Sequence, residues 1–237
     1  MTRRRWIADE VSGNTAALVG EHAAHLVRVL RAEIGQEFEI ATGAEVRRGT
    51  ITAISADRVD FALGQEREVK AAAQITLVLA IFKFDRMEWA IEKCTEIGVA
   101  RTIPVIANRT DAHLAAAAPK RHERWQRLVR QASEQSRRAT VPELATAVRL
   151  KDLDVALPAR VVLAESLAGM EGSRLRDVLQ SKPQPLALAV GPEGGWTDEE
   201  IAWFHEAGWA AASLGSTILR AETAAIVATA LAIDELS

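Results

Sequence analysis

The sequence predicts an α/β protein: a small β-rich barrel followed by a larger domain built on a parallel sheet. Three observations carry this. Residues 1–72 hold short runs rich in β-branched residues, broken by turn residues. Beyond them, apolar runs alternate with helical patterns, as βα units do. One run, Ile75–Phe82 (ITLVLAIF), is apolar at nearly every position, as expected of a strand covered on both faces.

Element by element, the N-terminal part reads as strands Glu37–Ile40, Arg47–Ile54 and Arg58–Leu63. Gly35, Thr42-Gly43 and Ser55-Ala56-Asp57 supply the turns. His22–Arg31 (HAAHLVRVLR) is a helix, with Leu26, Val29 and Leu30 on one face. The boundary falls near Ala71–Ala73, giving domains 1–72 and 73–237. After strand Ile75–Phe82, helix Arg86–Ile97 carries Met87, Ala90, Ile91, Cys94 and Ile97 on one face. Strand Thr102–Ala107 and a basic helix Lys120–Arg138 follow. Next come strand Val161–Ala164, a helix near Ser173–Leu179, and strand Leu186–Val190, ending at Gly191. Helix Asp198–Ala207 takes Thr197 or Asp198 as its cap. Strand Ala211–Leu214 and the apolar helix Ala221–Leu236 close the chain.

The composition narrows the function classes. A chain of 237 residues with 49% hydrophobic and 26% charged residues has ample core for one or two domains. No stretch approaches the roughly 20 consecutive apolar residues of a membrane span. The start, MTRRRWIADE, lacks an apolar segment behind its basic residues and does not read as a signal peptide. A single cysteine, Cys94, rules out an internal disulfide or a cysteine metal site, and a cytoplasmic location is expected. Net charge is −3, yet Lys120–Arg138 holds seven basic and two acidic residues, 7 − 2 = +5. Arg3, Arg4 and Arg5 form a second basic cluster. Such asymmetry marks a nucleic-acid footprint better than the total does.

Two constellations carry chemistry. Gly191-Pro192-Glu193-Gly194-Gly195 lies between an apolar strand and a capped helix. In α/β sheets ligands bind beyond the carboxyl ends of the strands, and glycine lets the backbone come close to them. The plainer reading is a tight turn. No Lys-Ser or Lys-Thr follows, so this is not a P-loop. Its place late in the chain also excludes an ordinary dinucleotide fingerprint, which follows the first strand of its domain. The second constellation, Leu214-Gly215-Ser216-Thr217-Ile218-Leu219-Arg220-Ala221-Glu222-Thr223-Ala224-Ala225, enters the last helix. Small residues and free N–H groups there suit a ligand, although a capped helix with an exposed ion pair explains it too.

Other residues read more plainly. Cys94 belongs to a core face. His22 and His25 have no third ligand in view, so no metal is expected. Trp196, Trp203 and Trp209 read as packing, with Trp196 beside the glycine loop left open. The basic helix is read as a phosphate-binding surface rather than only a solvated face.

Together, GPEGGWTDEEI and LGSTILRAETAA resemble the 16S ribosomal RNA (uracil-N3) methyltransferase family of the SPOUT superfamily. The likeness extends to His25-Leu26 with Val29-Leu30-Arg31, to Lys83 with Arg86–Val99, and to Arg124-Trp125, Gln135-Ser136, Arg138 and Val141-Pro142. It spans nearly the whole chain in order. Ala107-Asn108-Arg109-Thr110 departs from it, because the family often has Ser-Glu-Arg-Ser there; Arg109 is kept and the acidic neighbour is lost.

The resemblance implies a SPOUT-type trefoil-knotted parallel-sheet domain preceded by a PUA-like barrel. It implies a homodimer, S-adenosylmethionine as cofactor and no metal. The substrate would be a uridine in 16S rRNA of the small ribosomal subunit. The cofactor would lie against Glu165, Val190, Gly191, Glu193, Gly194, Gly195, Leu214, Gly215, Ile218, Leu219 and Arg220. RNA would meet Arg3, Arg4, Arg28, Arg31, Arg109, Arg124, Arg127, Arg130 and Arg138. Uracil N3 is a poor nucleophile until its proton leaves, so the reaction needs a base or stabilisation of the uracil anion. Arg220 is the candidate for the anion, and Glu193 or Glu222 for the base; each reads equally as a structural ion pair. Two alternatives stay open: a SPOUT enzyme acting on another RNA such as tRNA, and a non-catalytic RNA-binding assembly factor.

Overall fold

The computed structural model describes residues 5–43, 45–67, 73–167, 173–181 and 184–236. The chain divides into two compact units, Met1–Ala71 with Ser133–Val141, and Ala72–Ala132 with Pro142–Ser237.

The first unit is a curled, barrel-like sheet. Its strands are β1 (Arg5–Ile7), β2 (Glu10–Ser12), β3 (Thr15–Val19), β4 (Glu37–Ala41), β5 (Val46–Ile54) and β6 (Arg58–Arg67), with helix α1 (Glu21–Arg28) between β3 and β4. They lie in the order β1-β4-β5-β6-β3-β2, with every pair antiparallel except β1 and β4. The curl follows from the connectivity. β1 and β2 occupy opposite edges, yet only Ala8 and Asp9 separate them. Ala8 donates its N–H to Ala41 at 2.9 Å, and Asp9 donates to Ala17 at 2.9 Å, so those two residues step from one edge to the other. Trp6, Leu18, Leu26, Ile40, Ile51 and Phe61 fill the interior. Gly49 suits that interior, because a Cβ on it would collide with Ile40 Cγ1.

Helix α1 ends at Arg28, three residues before the predicted end. Val29 caps it, and Arg31 takes a positive φ of 52°. Val29 and Leu30, expected on an apolar helix face, are instead 63% and 46% exposed. His22 lies between two carboxylates: its Nδ1 faces Asp9 at 3.2 Å and its Nε2 faces Glu134 at 3.7 Å.

The second unit is a seven-stranded parallel sheet with helices. Its elements are β7 (Ile75–Ala80), α2 (Phe84–Ile97), β8 (Arg101–Ile106), α3 (Ala112–Gln135), β9 (Glu143–Leu144), β10 (Val148–Arg149), β11 (Ala159–Leu163), α4 (Leu175–Val178), β12 (Leu186–Val190), α5 (Asp198–Glu206), β13 (Ala210–Ala212) and α6 (Ala221–Leu236). The last three residues of α3 group with the first unit. Strand order is β10-β8-β7-β12-β11-β13, and β9 also pairs with β8. β7 lies between β8 and β12, and all six of its residues are buried, which is why its sequence is apolar apart from Thr76.

Helix α2 buries Met87, Ala90, Ile91 and Cys94. Cys94 accepts a hydrogen bond from Thr229 of α6 at 3.5 Å, and burial pushes its thiol up to about 12. α6 is largely covered within the single chain. Ala225, Ala228, Thr229 and Ala232 are fully buried, while Ile226, Leu231 and Ile233 pack on the same core from its flanks. Its all-round apolar composition is therefore mostly explained by packing inside the unit.

On the other side of the sheet, Phe204 of α5 is fully buried among three indoles. Its ring lies 4.9 Å from Trp196, 5.2 Å from Trp203 and 5.1 Å from Trp209, each edge-on. The three tryptophans are a packing cluster.

Candidate cofactor cavity

β12, β11 and β13 are adjacent and parallel, so their carboxyl ends open on the same side. The segments leaving them therefore converge: Ala164–Ser166 after β11, Gly191–Trp196 after β12, and Ser213–Leu219 after β13. They enclose a cavity of about 270 Å³. Leu163, Val190, Ile201 and Leu219 give it apolar surface, while Glu165, Glu193 and Asp198 give it acidic groups. α6 begins at the edge, and Ala221 and Ala224 of its first turn also line the space. Residues this small keep the helix start open.

The glycine loop is shaped by its backbone and by one arginine. Gly195 has φ +69°, a conformation L-residues adopt at a cost. A Cβ there would stand 3.6 Å from Glu165 Oε2 and 3.9 Å from Arg109 Nη1, so glycine leaves a gap between an acid and a base. Arg109 donates from Nη1 to the Gly194 carbonyl at 2.5 Å and to the Trp196 carbonyl at 3.3 Å. Glu165 is exposed and has no ion pair among the described residues.

Behind the loop, a capping box starts α5. The Thr197 hydroxyl accepts from the Glu200 N–H at 3.3 Å, and Glu200 Oε2 accepts from the Thr197 N–H at 2.9 Å. Glu200 is 5% exposed, and its other oxygen accepts from the Asn108 N–H at 2.7 Å. One buried carboxylate thus joins the helix start to the segment that carries Arg109. Next to it, Glu199 is held below the usual carboxylate range by its own backbone N–H, then by the Thr197 hydroxyl and by Arg109.

The sequence-derived residues fall out as follows. Glu165, Val190, Gly191, Glu193, Gly194, Gly195, Leu214, Gly215, Ile218 and Leu219 all line the cavity. Arg220 does not. It is exposed just past the lining, and its guanidinium has no partner among the described residues. Glu193 and Glu222 share a cation instead of standing free: Arg86 of α2 lies 3.0 Å from Glu193 and 3.8 Å from Glu222.

The basic residues separate into kinds. Arg3 and Arg4 lie outside the described residues. Arg28, Arg31 and Arg127 are exposed and have no charged partner among the described residues. Arg124 pairs with Glu88 at 2.9 Å, and Arg121 joins the same carboxylate at 3.5 Å while stacking on Phe84. Arg130 and Arg138 are half-buried, and desolvation pulls Arg138 down to about 10. The basic helix is thus partly neutralised by α2. The guanidinium of Arg109 is engaged by the glycine loop.

Two residues whose contacts shape the surroundings of the cavity were not singled out by the sequence. Glu200 carries a findable signal, since Thr197-x-x-Glu200 is a capping-box pattern. Arg86 stands within the Arg86–Val99 block, but its two partners lie 107 and 136 residues away in the chain (193 − 86 and 222 − 86), beyond any local signal.

Residues 69–233 match the family model described as RNA methyltransferase domain. The ribosomal RNA small subunit methyltransferase E of Synechocystis sp. is 32% identical over 230 residues, covering 94% of this chain and 74% of that protein. The chain belongs to this RNA methyltransferase family. The Bacillus subtilis protein of the same name is 31% identical, over 90% of this chain and 88% of its own. Among solved structures, the Neisseria gonorrhoeae ribosomal RNA small subunit methyltransferase E bound to S-adenosyl methionine superposes with a TM-score of 0.81. It is 29% identical and covers 96% of this chain and 95% of its own. A putative methyltransferase of Legionella pneumophila in complex with the same cofactor gives 0.82 at 28% identity, over 98% and 97%.

Proposed function

We propose that this chain transfers a methyl group from S-adenosylmethionine to N3 of a specific uridine in 16S rRNA of the small ribosomal subunit. Membership of the family supports S-adenosylmethionine-dependent rRNA methylation. The observation that carries the reading is the convergence of three sequence-distant segments on one cavity beyond the carboxyl ends of β11, β12 and β13. The residues present fit the cofactor. Val190 and Leu219 offer an apolar surface, Gly194 and Gly195 a close backbone approach, and Glu165 an unpaired carboxylate for a cationic ligand. The cofactor, when bound, supplies an electrophilic methyl on sulfur.

The chain's own task is to ready uracil N3. Arg220, exposed and unpaired at the start of α6, is the group we assign to the negative charge that develops on the uracil oxygens. Glu193 and Glu222 already face Arg86 and are poorer candidates for a free base. Arg127 of α3 and, in the barrel-like unit, Arg28 and Arg31 are the cations we assign to RNA phosphates. Residues 1–72 we read as a PUA-like RNA-binding domain and 73–237 as a trefoil-knotted methyltransferase domain, although Ser133–Val141, placed in the second domain by the sequence reading, groups with the first unit. A homodimer and a cytoplasmic location complete the proposal. Among the described residues no helix is long and apolar enough to cross a membrane, and no cluster of potential metal ligands occurs.

Two measurements test it. Mass-spectrometric mapping of 16S rRNA nucleosides with and without the gene should show one 3-methyluridine lost; an unchanged rRNA with a change in tRNA would transfer the reading to another RNA. Arg220→Ala should bind RNA and S-adenosylmethionine nearly as the native chain does and lose methyl transfer by about a hundredfold or more. Full activity in that variant would remove Arg220 from the chemistry.

A further inference from the structure

We propose that Arg86 is a positioning residue that ties together the two walls of the cavity. It does so through one guanidinium shared between Glu193 of the glycine loop and Glu222 at the head of α6. The inference rests on the cavity being the cofactor site.

Three observations point to it. Arg86 stands in the first turn of α2 and belongs to neither wall, yet its Nη1 donates to Glu193 Oε1 at 3.0 Å. Its Nε faces Glu222 Oε1 at 3.8 Å, beyond a good hydrogen bond and within ion-pair range. Glu222 itself is 5% exposed, and its Oε2 is buried without a hydrogen-bond partner. A carboxylate that deep depends on a nearby cation, and among the described residues Arg86 is the one that forms an ion pair with it.

The geometry also suits arginine in particular. The planar fork sends different nitrogens to two carboxylates, which a single lysine ammonium on a flexible stem does less well. Glu193 lines the cavity, and Ala221, the neighbour of Glu222, lines it from the other side. A guanidinium holding both carboxylates therefore sets where the glycine loop stands relative to α6. Cofactor affinity should respond to that separation, because small displacements of a preorganised site cost binding and rate.

The test is a double-mutant cycle on the full chain, read by calorimetric titration with S-adenosylmethionine and by thermal unfolding without it. Glu193 is exposed, so Glu193→Gln should leave the melting temperature close to native and weaken S-adenosylmethionine about tenfold. Arg86→Gln should weaken it at least as much, and the double variant Arg86→Gln/Glu193→Gln no further, because both changes cut the same link. Adding Glu222→Gln to Arg86→Gln should restore thermal stability by removing the buried unpaired charge. Should Arg86→Gln not fold, Arg86→Lys takes its place in the cycle, since it keeps a cation beside Glu222. Effects that add in the cycle would make Glu193 a direct ligand and overturn the positioning role. So would native affinity in a folded Arg86→Gln. Failure of the native chain to bind S-adenosylmethionine at all would instead sink the cofactor reading on which this one stands.

Discussion

Glu200 offers the sharpest quantitative test of how the cavity is built. Replacing it with alanine removes two acceptors at once: Oε2 for the Thr197 N–H at 2.9 Å and Oε1 for the Asn108 N–H at 2.7 Å. A hydrogen bond to an ionised group contributes about 1.5–3 kcal/mol, so the gross loss is roughly 3–6 kcal/mol. Relief from burying a carboxylate offsets part of that, leaving about 3 kcal/mol. For a chain of this size each kcal/mol lowers the melting temperature by roughly 2–4 °C, so Glu200→Ala should melt roughly 6–12 °C lower. Glu200→Gln keeps one acceptor but turns an NH2 toward the other donor, and should lose at least half as much. Thr197→Ala removes the reciprocal cap, about 1 kcal/mol, together with the weaker contacts of its hydroxyl to Asn108 Nδ2 at 3.4 Å and to Glu199. The two losses should also differ in function. Asn108 precedes Arg109, which holds the carbonyls of Gly194 and Trp196, so Glu200→Ala should weaken S-adenosylmethionine binding more than Thr197→Ala does. Differential scanning calorimetry and titration of the same preparations measure both. A Glu200→Ala protein melting within about 2 °C of native would refute the reasoning, because the two part-buried N–H groups would then be satisfied without it.

Three further outcomes are expected. Gly195→Ala should fold with a loss of about 1–2 kcal/mol from its positive φ, since the nearest neighbours of the added Cβ stay at 3.6 Å or more. Its methyl would fill the gap between Glu165 and Arg109 and weaken S-adenosylmethionine, and unchanged affinity by titration would place the cofactor elsewhere. Cys94 should resist iodoacetamide at about pH 8 in the native protein and react once unfolded. Because burial raises its folded value from 9.0 to about 12, its contribution is full below pH 9 and is lost as pH climbs toward 12. Denaturant midpoints should therefore fall more steeply over that window in the native chain than in Cys94→Ala, and parallel curves would contradict the shift. Arg127→Ala should weaken RNA binding and lower the salt slope by about 0.7 for each single-strand phosphate that the arginine neutralises. Arg124→Ala, whose charge Glu88 already offsets, should change both less, and equal effects measured by filter binding across a salt series would refute that distinction.

The sequence by itself determined what local physics can determine. The apolar run at β7 announced a strand buried on both faces, and the 3.6-residue period of α2 placed Met87, Ala90, Ile91 and Cys94 in the core. Strand β12 and helix α6 have the ends that the pattern indicated, because a glycine turn and a small-residue start mark them chemically. The glycine loop and the segment after β13 stood out in the sequence as candidate ligand segments, beside the plainer readings of a tight turn and a capped helix, and both line the cavity. Strands β1 and β2 were not legible: each is three residues long, too short for a period, and each is placed by its pairing partner. Nor was the early end of α1, where Arg31 takes a positive φ that its residue type does not advertise.

Tertiary structure alone decided which side chains meet. Strand order put β11 between β12 and β13, and so brought Glu165 to the glycine loop and to Gly215. It turned Arg109 onto the carbonyls of that loop and set Glu88 against Arg121 and Arg124, taking charge away from a helix whose sequence carries +5. It gave Glu193 and Glu222 one arginine to share. Ion pairs form between atoms close in space, and a guanidinium on a long stem can reach carboxylates more than a hundred residues away from it in the chain. No spacing rule within a chain records that choice; the packing of α2 against α6 and the loop after β12 makes it.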